Sequence, residues 1–281
     1  MPDLQQLIAN ARDADGQPPF SDQALVDLRT GGRSLIEIPG GAAIVSHPPV
    51  GSAEAELVVD PDARGRGIGT ALLERIIADT LPLARTGELH VWAHGDHPAA
   101  RALAASHGLV AVRELLQLRM AVPVTASVPE PAPVVEPVET RFAPFVVGAD
   151  EDAWVALNAR VFAFHPEQGS VSRDDVVELE SEPWFDADDF IVARDGDRMI
   201  GYCWLKVEHG IGEIYVLGVD ESHRGEGLGR TLMTAGFARL AARGIHTVAL
   251  YVECDNDPAV ALYRSLGFGT HSVDIQYRLA R

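Results

Sequence analysis

The run Arg224–Gly225–Glu226–Gly227–Leu228–Gly229–Arg230 has the makings of an anion site. Its three glycines let the backbone turn tightly and come close to a ligand. Thr231, Leu232, Met233, Gly236, Phe237 and Leu240 follow at helical spacing, so the turn opens a helix. The first N–H groups of that helix are unspent, and its dipole favours negative charge there. Arg224 and Arg230 add fixed positive charge. A pyrophosphate suits such a cradle. The pattern occurs twice: Arg64–Gly65–Arg66–Gly67–Ile68–Gly69–Thr70 repeats it. Each run follows an apolar stretch ending in Asp, Leu57–Val58–Val59–Asp60 and Leu217–Gly218–Val219–Asp220. One glycine-rich run is a weak signal, but two copies in the same context are a repeat.

The elements around each copy can be read in order. Residues 4–12 predict a short helix, and Ser21 and Asp22 are cap candidates for a second. Ser34–Ile38 and Ala42–Ser46 predict a hairpin about Gly40–Gly41. Glu56–Val59 is a strand before the first turn, and Thr70–Asp79 an amphipathic helix after it. Glu88–Ala93, Pro98–Ser106 and Val110–Met120 continue as strand, helix, and strand or strand pair. In the second half the expected helices are Asp150–Phe162, Asp174–Glu180, Thr231–Arg243 and Pro258–Leu266. The expected strands are Phe190–Arg194, Met199–Val207, Gly212–Val219, Thr247–Val252 and Asp274–Leu279. Each half is therefore α/β, with an antiparallel meander followed by strand–helix–strand–helix–strand.

A chain of 281 residues suits two domains. Between them, Pro123, Pro129, Pro131, Pro133, Pro137 and Pro144 interrupt every regular pattern. The segment 121–144 is expected to be an extended linker joining domains at 1–120 and 145–281. A polyproline ligand is the alternative. A formal charge of −18 argues against a nucleic-acid partner. The two cysteines fit a reducing compartment and form no disulfide framework. No apolar run nears the roughly 20 residues needed to span a bilayer, and Met1–Gln6 lacks the features of a signal peptide. The expectation is a cytoplasmic monomer with no membrane partner. The scattered histidines have no ligand spacing, so no metal is expected.

Each half resembles the GCN5-related N-acetyltransferase (GNAT) family. Its pyrophosphate signature, Arg/Gln-x-x-Gly-x-Gly/Ala, matches Arg224–Gly229 and Arg64–Gly69, and the block Asn256–Val260, Tyr263 and Leu266–Phe268 is similarly typical. The tandem arrangement is similar to one branch, the mycothiol synthases. The matching residues are His165–Gly169, Trp184–Phe185, Tyr215–Asp220, Leu250–Glu253 and Ser272–Asp274, with Trp92–Gly95 and Val112–Leu115 in the first half. The resemblance implies two tandem GNAT domains, each a mixed, mostly antiparallel sheet flanked by helices. It implies acetyl-CoA as cosubstrate and a thiol-sugar acceptor, the cysteinyl amine of cysteinyl-glucosaminyl-inositol.

Acetyl transfer from a thioester to an amine needs a held cofactor, a neutral amine, donors for an oxyanion and a way for the thiolate to leave. The glycine turns meet the first need. The edge of Leu217–Gly218–Val219 can pair with pantetheine amides, and one of its N–H groups can polarise the thioester carbonyl. In the first half Leu57, Val58 and Val59 hold the same place. A cysteinyl amine has a pKa near about 8 and must lose a proton. Glu213, at alternating spacing from Tyr215, Leu217 and Val219 and so expected on their face, is the base candidate; the bland reading is a solvent-facing strand residue. The resemblance places the base there, and it places at Tyr263 a tyrosine that protonates the departing thiolate, where a core aromatic is the alternative. Asn256 either binds pantetheine or caps the last helix. For the acceptor the resemblance points to Glu167, Lys206, Glu213 and Tyr251, with Lys206 also readable as an ordinary surface lysine. It points to Asp22 too, where a helix cap serves equally.

The copies differ. With Asp60 placed on Asp220, Ala53 falls at Glu213, Glu54 is one residue off and on the other strand face, Leu103 or Ala104 lies in the region of Tyr263, and Asp96 replaces Asn256. The first half keeps the cradle without the proton-transfer groups. It is expected to bind acetyl-CoA without turnover or to serve as scaffold, while the second half reacts. Two rivals stand beside this reading: a GNAT acting on a peptide N-terminus or aminosugar, and a CoA-sensing module without catalysis.

Overall fold

The computed structural model describes residues 4–46, 52–80, 82, 87–122, 140–163, 165 and 168–280. Most of the proline-rich segment lies outside them. The chain divides into two compact units. Unit 1 comprises Met1–Gln117, Val252–Tyr263 and Thr270–Arg281; unit 2 comprises Leu118–Tyr251 and Arg264–Gly269.

Unit 1 begins with α1 (Leu4–Asp15) and α2 (Asp22–Thr30). Ser21 caps α2 by accepting from the Ala24 amide at 3.2 Å, and Gly31 closes it in the left-handed region. The hairpin β1 (Arg33–Ile38) and β2 (Gly41–Ser46) forms as expected. β3 (Ala53–Val59) lies antiparallel to β2 and parallel to β4 (Glu88–Ala93), with α3 (Ile68–Thr80) between them in sequence. α4 (Pro98–Ser106) and the single strand β5 (Val110–Ala121) follow. β2 is buried throughout except for its last residue, because both sheet faces are covered. Ala43 and Val45 pack on one face with Leu72, Leu73 and Ile76 of α3. Ala42 and Ile44 pack on the other with Leu7, Phe20 and Ala24.

Unit 2 has the same plan. The expected linker ends early, because Arg141–Pro144 form an edge strand, β6, on β7 (Phe190–Asp195). Pro144 is tolerated there because an edge strand does not need every N–H. α5 (Glu151–Val161) and α6 (Arg173–Glu180) precede β7. β8 (Arg198–Glu208) and β9 (Ile211–Val219) complete the meander, and α7 (Leu228–Ala242) leads to β10 (Thr247–Glu253), parallel to β9. α7 starts three residues earlier than its apolar spacing indicates, since Leu228 follows directly on the left-handed Gly227. The core on the α5–α6 face is aromatic: Trp154, Phe190, Tyr202 and Trp204 are at most 1% exposed. α7 covers the other face, with Gly236 against Cys203, Leu205 and Ile214.

One strand departs from the simple repeat. After α8 (Asp257–Ser265), the last strand β11 (Gly269–Ala280) pairs antiparallel with β4 of unit 1, Ile275 opposite Ala93 and Leu279 opposite Leu89. Ile275, Tyr277 and Leu279, at period two, join the core built by Leu89 and Val91. The strand order in unit 1 is β1-β2-β3-β4-β11-β5, and in unit 2 it is β10-β9-β8-β7-β6.

Candidate active site

The two glycine turns are alike in their backbone. Asp60 and Asp220 each start a short 3-10 turn, accepting from the Asp62 and Ser222 amides at 3.0 and 3.1 Å. Gly65 and Gly67 have φ of 74° and 81°; Gly225 and Gly227 have 84° and 83°. These left-handed values are what glycine admits at little cost. Past the second turn the first backbone bond is Thr231 N–H to Gly227 O at 3.1 Å, and past the first it is Ala71 N–H to Gly67 O at 3.0 Å. The amides ahead of these bonds are left for an anion. Asp220 also accepts from Arg160 and Arg198, at 3.2 and 2.8 Å. The Ser222 hydroxyl and these arginines hold its carboxyl far below the usual carboxylate range.

Each turn stands at the mouth of a split between parallel strands. β3 and β4 pair only from Ala53–Leu89 to Glu56–Trp92, and β9 and β10 only from Ile211–Thr247 to Ile214–Leu250. Leu57, Val58 and Val59, and Leu217, Gly218 and Val219, lie beyond the last pair. Their edges face a slot in which an extended pantetheine can take the place of a strand. In unit 1 the slot opens into a cavity of about 460 Å³ whose lining includes Leu57, Val59, Gly67, Thr70, Trp92 and Leu103.

A β-bulge decides what faces the slot in unit 2. Trp204 pairs with Val216 and Leu205 with Ile214, so Tyr215 is an extra residue in β9. It reverses the alternation, so the expected common face of Glu213 with Leu217 and Val219 is corrected: of the three residues named with it, only Tyr215 shares its face. Val219 packs by Gly229 and Ile214 by Gly236, both on the α7 side, while Glu213 is carried to the face of Tyr215 and Trp184. There Lys206 is the register partner of Glu213. The β2–β3 register has no such shift. Counting from the turn, Glu54 therefore occupies the face that Glu213 occupies. The ungapped comparison, which set Glu54 on the wrong face and left Ala53 opposite Glu213, is corrected on this point: unit 1 does carry a carboxylate here. It is spent on Arg33, whose Nη2 lies 3.3 Å away. Leu103 stands where Tyr263 does in α8, as expected.

The other expected residues fall as follows. Lys206 is buried, not a surface lysine: it is 4% exposed. Tyr251 is exposed and near the end of β10, and Glu213 is half-buried on β9. With the second turn, all three belong to unit 2. Tyr263, half-buried on α8, and Asn256 belong to unit 1. Asn256 Oδ1 accepts from the Ala259 amide at 3.3 Å, so it does cap α8. Within unit 2, Arg230 Nη2 donates to Ser265 Oγ at 3.1 Å. Asp22 is the first residue of α2 and exposed, with Ser21 as the cap. Glu167 lies outside the described residues. No metal-binding group of His, Cys, Asp or Glu occurs among the described residues.

Residue-by-residue reading missed a buried polar cluster in unit 1. His94 donates from Nε2 to Glu56 at 3.1 Å and from Nδ1 to Asp274 at 3.0 Å. Glu56 also accepts from the Ser21 amide at 2.6 Å and hydroxyl at 2.7 Å. Burial alone would lower the His94 pKa, but the two carboxylates outweigh it and lift the value to about 10. The ring is an imidazolium at neutral pH. Two motifs noted in the sequence, Trp92–Gly95 and Ser272–Asp274, thus meet in one ionic cluster. A third joins beside it: Arg113 lies 5.1 Å from the Trp92 ring centre and pairs with Glu253 at 2.5 Å.

Comparison with known proteins agrees with this geometry. The acetyltransferase (GNAT) family model matches residues 154–268, and a GNAT acetyltransferase domain model matches residues 31–108. A mycothiol acetyltransferase of Clavibacter sepedonicus is 47% identical, over 98% of this chain and 90% of the relative. One from Kocuria rhizophila is 43% identical, over 98% and 95%. Among solved structures, a tandem GNAT protein of the clavulanic acid pathway has the same fold, with a TM-score of 0.73 at 18% identity over 98% of this chain and 93% of that one. A GCN5-related N-acetyltransferase of Sphaerobacter thermophilus gives a TM-score of 0.71 at 24% identity, over 98% and 90%. Two cradles, two split strand pairs and end-to-end identity above 40% lead to one assignment: the chain belongs to the GNAT acetyltransferase family, among its mycothiol acetyltransferases.

Proposed function

We propose that the protein transfers the acetyl group of acetyl-CoA to the cysteinyl amine of cysteinyl-glucosaminyl-inositol, forming mycothiol. The observation that carries this reading is the second cradle: a glycine turn at the mouth of the β9–β10 split, beside a bulge that turns Glu213 toward the buried Lys206. The full-length identity to mycothiol acetyltransferases supports the acceptor.

The pyrophosphate rests on the amides of residues 225–230 with Arg224 and Arg230, and the pantetheine lies along Leu217–Val219. Glu213 takes a proton from the acceptor ammonium, directly or through water, and the neutral amine attacks the thioester carbonyl. A β9 amide at the split receives the developing oxyanion. Tyr263 gives a proton to the departing thiolate. Lys206, Tyr251, Asp22 and Glu167 recognise the polyhydroxylated, cationic acceptor. Residues 145–281 hold the reacting groups, and 1–120 form a GNAT domain that binds acetyl-CoA without turning it over. The protein acts as a cytoplasmic monomer on a small molecule.

The deciding experiment compares turnover of cysteinyl-glucosaminyl-inositol with that of peptide and aminoglycoside acceptors. A preference of at least about a hundredfold in kcat/KM, roughly 2.7 kcal/mol of transition-state discrimination, is expected. Equal rates on all three would remove the assignment of acceptor and leave the acetyltransferase.

A further inference from the structure

The arginines that open the two turns are in different states. Arg64 donates from Nη1 and Nη2 to the two carboxylate oxygens of Asp15, each at 2.7 Å. Its Nε donates to Val59 O at 3.2 Å. All three nitrogens of the guanidinium are engaged, and the two side chains are about 30% exposed. Arg224 is exposed, and among the described residues no carboxylate pairs with it. Asp15 ends α1, where a carboxylate opposes the negative end of the helix dipole, and Arg64 compensates that charge. Asp15 and Arg64 both line the 460 Å³ cavity that contains the glycine turn. Gln17, two residues on, also lines it and packs closely over Gly95.

A carboxylate and a phosphate engage a guanidinium in the same forked way. An anion arriving at the first turn meets an arginine already occupied and a carboxylate that repels it. We propose that Asp15 is an internal competitor for Arg64, so that acetyl-CoA binds unit 1 without the help of that guanidinium and less tightly than it binds unit 2. This rests on the reading that both turns bind acetyl-CoA. Asp15 therefore sets the concentration at which the first site fills, and the second site, with Arg224 unclasped, fills first.

Calorimetric titration of the full chain with acetyl-CoA tests this, with tryptophan fluorescence as the assignment. Trp92 lines the first cavity, so the quenching that Trp92→Phe abolishes reports that site. The unaltered protein should show two sites, the weaker one carrying the Trp92 signal. Asp15→Asn and Asp15→Ala should tighten that site about tenfold and leave the other unchanged. Arg64→Gln should matter little alone, yet erase the gain in the Asp15→Asn background. Two sites whose affinities do not respond to Asp15, or a first site that weakens, would overturn the proposal and leave the two-site reading intact. One site without a Trp92 signal in every variant would overturn both.

Discussion

The Lys206 ammonium lies 5.2 Å from the centre of the Trp184 ring and 3.0 Å from Glu208 Oε2. A buried ammonium needs such partners, since desolvation alone would expel or neutralise it. The Trp184 ring also lies 5.2 Å from that of Tyr215, the bulge residue. Trp184 thus joins the strand feature that turns Glu213 to the lysine that Glu213 faces in register. Trp184 and Glu208 act as positioning residues for Lys206.

Trp184→Phe and Glu208→Gln should each raise the KM for the thiol-sugar acceptor roughly tenfold, about the worth of one desolvated cation–π contact. The kcat and the KM for acetyl-CoA should change by less than about twofold. Steady-state kinetics with each substrate varied in turn gives the answer; a matching rise in the acetyl-CoA KM would mean a general loss of structure.

Glu213→Gln should lower kcat by about 10²-fold or more near pH 7, the usual contribution of a positioned base. The deficit should shrink above pH 8, where the amine, with a pKa near about 8, is already neutral. Tyr263→Phe should slow transfer without that recovery, because the thiolate still lacks its acid. The pH profiles of kcat for both variants separate the roles.

Gly218→Ala should destabilise unit 2. A Cβ there would stand 2.4 Å from the Tyr202 ring, and Tyr202 is fully buried, its hydroxyl donating to Asn158 at 2.7 Å. Overpacking of that kind costs about 1–3 kcal/mol. Chemical denaturation should show the loss, with the unit 2 transition moving to lower denaturant.

The His94 cluster should make unit 1 sensitive to high pH. The His94 pKa is raised to about 10 from an ordinary 6.5. Its contribution is therefore complete below about pH 6.5 and is lost as pH rises through 10. Thermal melts between pH 6.5 and 10.5 should show stability falling across that window. His94→Gln should start lower and flatten the fall; an unchanged slope in that variant would place the effect elsewhere.

Gly67→Glu should abolish acetyl-CoA binding at the first turn and spare the second. The position has φ 81° and open space, so the new side chain brings strain and a carboxylate into the cradle, not a clash in the core. A count of bound acetyl-CoA per chain checks it.

Much of this site was legible in the chain because its parts are local. A glycine turn, an apolar strand before it and an amphipathic helix after it depend on residues close in sequence, and both copies appear where the pattern put them. Asn256 caps α8 for the same reason. Glu54 was misjudged because a bulge is invisible to an ungapped count: one extra residue at Tyr215 reverses every face beyond it. The His94–Glu56–Asp274 cluster was missed because its members are far apart in sequence and each alone reads as an ordinary surface group.

By itself the sequence determined the repeat, the two glycine turns, the order of strands and helices in each half and the family, since these rest on short-range spacing and residue type. The tertiary structure alone decided where the parallel strand pairs β3–β4 and β9–β10 part, and that the last strand completes the sheet of the first unit. It also decided that Glu213 shares a face with Trp184 and that, among the described residues, a carboxylate holds Arg64 but not Arg224. Those outcomes depend on register and on charges that meet across long separations in the chain, where hydrogen-bond pairing and burial, not local spacing, choose the partner.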